Sequence, residues 1–474
     1  MADNELIRLT ASEAVAALAT GDITPLDLVD AAAARIEAVD GALNALPTLC
    51  LDRGRDHARR IMTEARRDAA SPWLGGLPMV VKDLSDVAGV RTTYGSPIYA
   101  EFVPSRSNVL VERLEASGAI VIAKSNTPEF GAGANTFNEV FGKTRNPWNT
   151  AMTCGGSSGG SAVALAAGMA WLATGSDLGG SLRTPASFCG VVGLRPSPGR
   201  IARWPTTDPF DTLGVQGPMA RTVRDVALML DAMAGQHGAD PLSRPAPDRS
   251  FSDSLDGPAP RRVAYSADLG YLPVDPEVAS VCRAAAQRLE ETGAIVEEAC
   301  PDLTDAPKIF QTLRAANFAT SLGEHLKARR DMLKPDVVWN VEKGLALSAD
   351  EISQARRARA QLYERTASFF RTYDLLLTPA ALVPPFDVDQ RYVERVGDHV
   401  FENYVDWLAI TFAITLTSCP ALSLPCGRTD AGLPVGLQMV APVWGEQALL
   451  AAAHRLESLF DQSRLLPIDP GSGR

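Results

Sequence analysis

Histidine is scarce in this chain: His57, His237, His325, His399 and His454 are the only five in 474 residues. None lies in a glycine-rich turn or at the end of an apolar run, which leaves a Ser-His-Asp hydrolase without a well-placed base. No apolar run approaches the roughly 18 residues needed to span a bilayer. The N-terminal Met-Ala-Asp-Asn-Glu has no basic stretch before an apolar one, so it does not read as a signal peptide, and a cytoplasmic location is the default expectation. The seven cysteines have no metal-type spacing, Cys419 and Cys426 included, and are expected as reduced, mostly buried thiols. No GxxxxGK[ST] occurs, and the loop Thr127–Asn135 holds no complete GxGxxG, so neither a P-loop nor a dinucleotide site is expected. A net charge of −11 argues against a nucleic-acid partner.

What the chain does have is one dense glycine/serine region, Cys154-Gly155-Gly156-Ser157-Ser158-Gly159-Gly160-Ser161 followed by Gly175-Ser176-Asp177-Leu178-Gly179-Gly180-Ser181-Leu182-Arg183. Glycine lets backbone N–H groups approach a bound atom, and serine supplies hydroxyls for attack or proton relay. A flexible linker is the plain alternative, but the region is embedded in element-forming sequence. Ser161 to Leu172 reads as a helix and Val191 to Leu194 as a buried strand.

Around it, strand and helix patterns alternate. Residues 1–70 read as a helical arm: a capping box at Thr10–Glu13 with Gly21 as a stop, a second start at Thr24-Pro25, and a third helix from about Asp52 to Arg67. Leu77 to Lys82 and Gly118 to Lys124 read as strands, with a helix from about Ser107 to Ala116 between them. Further on come helices at Thr222–Ala234 and Pro276–Thr292, strands at Arg262–Tyr265 and Ala294–Val296, and a mostly helical stretch over 305–370. Strands at Leu375–Pro379, Ala421–Leu424 and Val435–Val440 precede a last helix from about Glu446 to Leu459. Residues 236–260 read as a surface loop. With no repeat and no interdomain linker, the expectation is a single α/β domain over 1–474. Its core is a central mixed, mostly parallel twisted sheet covered by helices on both faces, with the 1–70 arm attached.

Two chemistries compete for the serines. Gly155-Gly156-Ser157-Ser158-Gly159 fits GxSxG and would make Ser157 a nucleophile, but it lacks a histidine partner. Alternatively, Lys82 at the end of its apolar strand acts on Ser157 and Ser181. A buried lysine loses its proton readily and can take one from a serine. As a bland alternative, Lys82 is a snorkelling surface lysine.

The segment from Pro78 to about Pro196 resembles the amidase signature family of serine hydrolases. The two glycine/serine runs (continuing through Thr184-Pro185-Ala186-Ser187-Phe188-Cys189-Gly190) carry the likeness. So do Val81-Lys82-Asp83 with Asp86–Gly89, Cys419–Pro425 and Gly432–Gln438. Ser176 and Leu178 stand where relatives often have Thr, and Thr or Ile. The resemblance implies that residues 78–196 form the catalytic core and that Ser181 is the acylated nucleophile. Ser157 would be a relay in a cis peptide with Gly156, and Lys82 the base and later the acid. The N–H groups of Leu178, Gly179, Gly180 and Ser181 would form an oxyanion hole, and Gly131 would line the pocket.

The reaction implied is hydrolysis of a small-molecule carboxylic amide, with no metal and no cofactor. Hydrolysis of an anilide, urethane, hydrazide or ester, or a place as the amidotransferase component of a tRNA-dependent transamidation complex, stays open. So does a catalytically dead binding protein, and the family's common habit is a homodimer. Asp177 and Arg183 are expected to brace the nucleophile loop, Cys189 to pack in the core, and Asn146-Pro147-Trp148 to form a rigid turn. Pocket residues are sought in 131–137, 204–212, 311–345 and 380–410, with Phe137, Trp204, Phe210, Phe318, Trp339 and Tyr404 as candidates.

Overall fold

The computed structural model describes residues 3–63 and 73–471. In the arm, helix α1 (Ala11–Thr20) starts at the Thr10 capping box and stops at Gly21, and α2 (Pro25–Leu43) starts at Thr24 with a second capping box. The arm is not wholly helical, because Thr48–Leu49 (β1) joins the edge of the main sheet opposite Lys124 and Ala123. Helix α3 follows over Leu51–Thr63, and its expected end at Arg67 lies outside the described residues.

Next come β2 (Pro78–Lys82), α4 (Val109–Ala116) and β3 (Ile120–Ser125), close to the bounds read from sequence. The helix expected over Ser161–Leu172 is shorter. It runs over Gly159–Ala166 (α5), turns at Gly168 with φ +74, and Leu172 already opens strand β4 (Leu172–Asp177). Helix α6 (Arg183–Cys189), β5 (Val192–Arg195), β6 (Val215–Ala220) and α7 (Val223–Met233) complete the central part.

The remainder adds β7 (Arg262–Tyr265), α8 (Pro276–Gln287) and β8 (Ile295–Glu298), then α9 (Ala306–Arg329), α10 (Pro335–Leu345) and α11 (Ala349–Phe369). Strand β9 (Leu375–Pro379), helix α12 (Ala409–Leu416), β10 (Ala421–Arg428), β11 (Pro434–Val440) and α13 (Glu446–Phe460) close the fold.

One 11-stranded sheet threads all of this, in the order β1-β3-β2-β4-β6-β5-β10-β11-β9-β7-β8. It is mixed, as expected, but its parallel pairings are confined to two flanks, β3-β2-β4 and β9-β7-β8. The strands between pair antiparallel. A short turn at Thr429–Leu433 joins β10 to β11, and so short a connection permits only an antiparallel pair. Both faces are covered. On β9, Leu375 and Leu377 enter a core shared with Cys282 of α8 and Leu449 of α13, whereas Leu376 enters a separate core with Phe310 of α9 and Phe412 of α12. That two-residue alternation is what a strand between two helical layers requires. No helix among the described residues is long and apolar enough to cross a membrane.

Candidate active site

Strand β2 is buried along its whole length, and this carries Lys82 at its end into the interior with 1% exposure. The Nζ atom lies 2.7 Å from Ser157 Oγ, 2.9 Å from Ser158 Oγ and 2.9 Å from Ser176 Oγ. Burial, opposed in part by the charge of Asp177, lowers its pKa to about 7. The snorkelling alternative is therefore excluded. The two further hydroxyls carry no sequence signal as lysine partners. Ser158 merely neighbours a candidate, and Ser176 sits on a strand that the sequence does not reveal.

Ser157 follows a cis peptide with Gly156 and precedes α5. The two glycine/serine segments are tied together where the Ser158 N–H donates to the Ser181 carbonyl at 3.2 Å. Ser181 is half-buried on the turn between β4 and α6, and its Oγ has no hydrogen-bond partner among the described residues. A cavity of about 280 Å³ is bordered by Ser157, Ser176, Leu178, Gly179, Ser181 and, as expected, Gly131. A Cβ on Gly131 would lie 3.5 Å from Ser157 Oγ, so that residue walls the cavity close to the hydroxyl.

Asp177 organises the turn. Its Oδ1 accepts from the Gly180 N–H at 3.0 Å and its Oδ2 from the Leu182 N–H at 3.1 Å. Arg183 grips both oxygens, from Nη2 at 2.9 Å and Nε at 3.1 Å, and reaches on to Gln438 Oε1 at 2.5 Å and the Thr411 carbonyl at 2.8 Å. Burial alone would raise the Asp177 carboxyl, but Arg183 and Arg195 hold it well below the usual carboxylate range. Asp177 and Arg183 thus brace the loop, as the sequence suggests.

The same bonds correct one expectation. Gly180 does not present its N–H to the cavity, because Asp177 holds it, and Gly180 is not among the residues that border the cavity. What Gly180 supplies is its φ of +119, with a position where a Cβ would come within 2.2 Å of Thr411 Oγ1. Leu178, Gly179 and Ser181 remain as backbone donors beside the cavity.

Supporting residues behave as read. Cys189 is fully buried, and Asn146 Oδ1 accepts from the Trp148 N–H at 3.0 Å while Trp148 Nε1 donates to the Cys189 carbonyl at 2.9 Å. All seven cysteines are free thiols. Of the aromatic candidates, Trp204, Phe318 and Tyr404 border the cavity, whereas Phe137, Phe210 and Trp339 do not, Phe210 being 70% exposed. Phe310, Arg314 and Leu408 also border the cavity; Arg314 and Leu408 fall in stretches where pocket residues are sought, whereas Phe310 lies one residue outside them. A second chamber of about 350 Å³ shares Leu84, Phe130, Leu178 and Phe318 with the first and is also bordered by Tyr94 and Asn317. No histidine borders either chamber. Among the described residues no group of His, Cys, Asp or Glu is placed to hold a metal ion.

The family model described as Amidase matches residues 27–450. A glutamyl-tRNA(Gln) amidotransferase subunit of Synechococcus sp. (strain CC9605) is 35% identical, over 93% of this chain and 94% of that protein. An acylamidase of Rhodococcus erythropolis is 33% identical over 99% of each. The crystal structure of a bacterial aryl acylamidase of the amidase signature family superposes with a TM-score of 0.88 at 25% identity, over 97% of this chain and 98% of that one.

Proposed function

The chain belongs to the amidase signature family of hydrolases, and we propose that it cleaves a carboxylic amide through an ester formed on Ser181. The observation that carries this reading is the buried Lys82 amine, 2.7 Å from Ser157 Oγ and beside the cavity that Ser181 borders. A neutral amine has two N–H groups and one lone pair. It satisfies its three hydroxyl neighbours by donating to two and accepting from one, so the site is suited to lysine as a base.

In the proposed reaction, Ser181 Oγ attacks the amide carbon, its proton passes to Ser157 Oγ, and the Ser157 proton passes to Lys82 Nζ. The oxyanion is stabilised by the N–H groups of Leu178, Gly179 and Ser181, each such donor being worth about 3 kcal/mol in a transition state. Collapse breaks the C–N bond as Lys82 returns the proton through Ser157 to the leaving nitrogen. Ammonia or an amine departs. Water then attacks the acyl ester by the same relay, the acid leaves and Ser181 is restored.

Ser181→Ala is expected to lower kcat by about 10³-fold or more on a panel containing an aliphatic amide, an aryl amide, an anilide, a urethane, an ester and glutamine. Mass spectrometry of the unmodified protein with a fluorophosphonate is expected to place the adduct on Ser181. Turnover that survives Ser181→Ala would overturn the mechanism. The amidotransferase relatives support a second reading, transamidation together with partner proteins. Turnover of glutamine confined to a copurifying complex would favour it.

A further inference from the structure

Arg314 is a buried cation that the proposed reaction does not use. It is 6% exposed and borders the inner cavity, yet no carboxylate lies within ion-pair distance of it among the described residues. Its partners are neutral: Asn340 Oδ1, and Tyr404 OH at 2.8 Å. The guanidinium also lies 4.4 Å from the Phe318 ring centre and 5.5 Å from that of Tyr404. Other buried arginines are placed differently. Arg183 and Arg195 share Asp177, Arg200 pairs with Glu446 at 3.0 Å, and Arg221 holds backbone carbonyls of the N-terminal arm. Burying an unpaired charge is costly, and a planar guanidinium is matched in shape to a carboxylate.

Its placement on the helix gives the geometry. Phe310, Arg314 and Phe318 are four residues apart on α9, so all three face the cavity, successive ones about 6 Å apart along the axis. Phe310 touches the catalytic turn, since a Cβ on Gly179 would lie 3.0 Å from its Cζ. An acyl chain leaving Ser181 past Phe310 therefore meets Arg314 one helical turn on, with Phe318 and Leu408 as apolar walls for its stem. A second cation, Lys334, stands nearby and is faced by the carboxylates of Asp336 and Glu129. Lys334 Nζ would lie 3.7 Å from a Cβ on Gly133, which borders the cavity, while the nearby Asp336 is shared between Lys334 and Arg391.

We propose that Arg314 binds a carboxylate at the far end of the acyl chain, so that the substrate is the monoamide of a dicarboxylic acid. This rests on the amidase reading above, and its test separates the two. Succinamate, glutaramate and adipamate would be compared with butanamide, pentanamide and hexanamide, both as substrates of the unmodified protein and as ligands of Ser181→Ala by calorimetry. At the best chain length the carboxylated member is expected to show at least tenfold higher kcat/KM and tenfold tighter binding. Arg314→Met is expected to reduce that ratio at least tenfold, chiefly through KM, and Arg314→Lys to restore part of it. Equal binding of charged and neutral members to Ser181→Ala overturns the proposal and leaves the amidase reading standing. A clear preference in binding without any turnover by the unmodified protein supports the carboxylate site and counts against amide hydrolysis. Because the first comparison uses unmodified Arg314, a misfolded Arg314→Met would not remove the test.

Discussion

In the proposed relay Lys82 works only as the free amine, and burial has brought its pKa to about 7. Below that value the amine is protonated and cannot accept the Ser157 proton; above it the amine is free. The expected profile of kcat/KM for an uncharged amide rises about tenfold per pH unit up to about pH 7 and then levels. A flat profile between pH 5 and 9 would remove Lys82 from the role of base. Ser157 and Ser181 stand out in the sequence because glycine and serine are dense around them, whereas Lys82 at the end of its apolar run also reads as a surface lysine, and the roles of all three come from the family resemblance. Gly180 departs from expectation for a physical reason. In a turn of consecutive residues every N–H looks equivalent until the fold shows which one Asp177 folds back to hold. Arg314 lies in a stretch where pocket residues are sought, but nothing singles it out there, since a lone arginine between Leu313 and Ala315 looks like any helical surface residue. Its meaning comes from carboxylates that are missing in space.

The elements most easily read are those with strong ends. The capping boxes of α1 and α2 fix their starts, and the runs at β2, β7 and β9 are apolar enough to stand out. Strands β4 and β6 escape because Gly175 interrupts one and Gly217-Pro218 the other, and both residue types depress strand propensity. The glycines are there for contact. Gly175 pairs with Gly217 across the two strands, and Leu182, the residue after Ser181, packs onto both. A Cβ on Gly217 would come within 2.6 Å of Leu182 Cδ1 and 2.2 Å of the Leu194 carbonyl. Gly217→Ala is therefore expected to cost about 1–3 kcal/mol and to lower kcat by displacing the Ser181 turn. Denaturant unfolding together with kinetics would check this, and an unchanged kcat would show that the turn is insensitive to the sheet beneath it.

Across the whole molecule, both ends of the described chain fasten onto its middle. The carboxylate of Asp225 on α7 accepts from the first N–H groups of α1, Ala11 at 3.0 Å and Ser12 at 2.9 Å, and from Ser12 Oγ at 2.7 Å. These are donors that a helix start leaves open. Asp225→Ala is expected to cost about 3 kcal/mol and to expose the arm to proteolysis before the rest of the protein unfolds. Equal protease resistance in both proteins would refute that. At the other end, the Ile468 N–H donates to the Ala166 carbonyl at 3.0 Å and Arg35 Nε to the Ala167 carbonyl at 2.7 Å, closing the end of the helix that follows Ser157. None of this long-range order can be read from sequence. Local pattern names a strand but not its neighbour, so the alternation of helix and strand is legible while the antiparallel centre of the sheet is not.

The ion pair that steadies the Ser181 turn has a consequence for biosynthesis. Arg183 is anchored by Gln438, 255 residues further along the chain. At about 5–20 residues per second, a ribosome needs roughly ten to fifty seconds after making Arg183 before that anchor exists. Throughout that interval the nascent polypeptide holds Arg183 without the side chain that anchors it from strand β11. Premature termination anywhere before Gln438 would release a product that carries the three residues of the proposed relay and lacks the side chain that anchors Arg183.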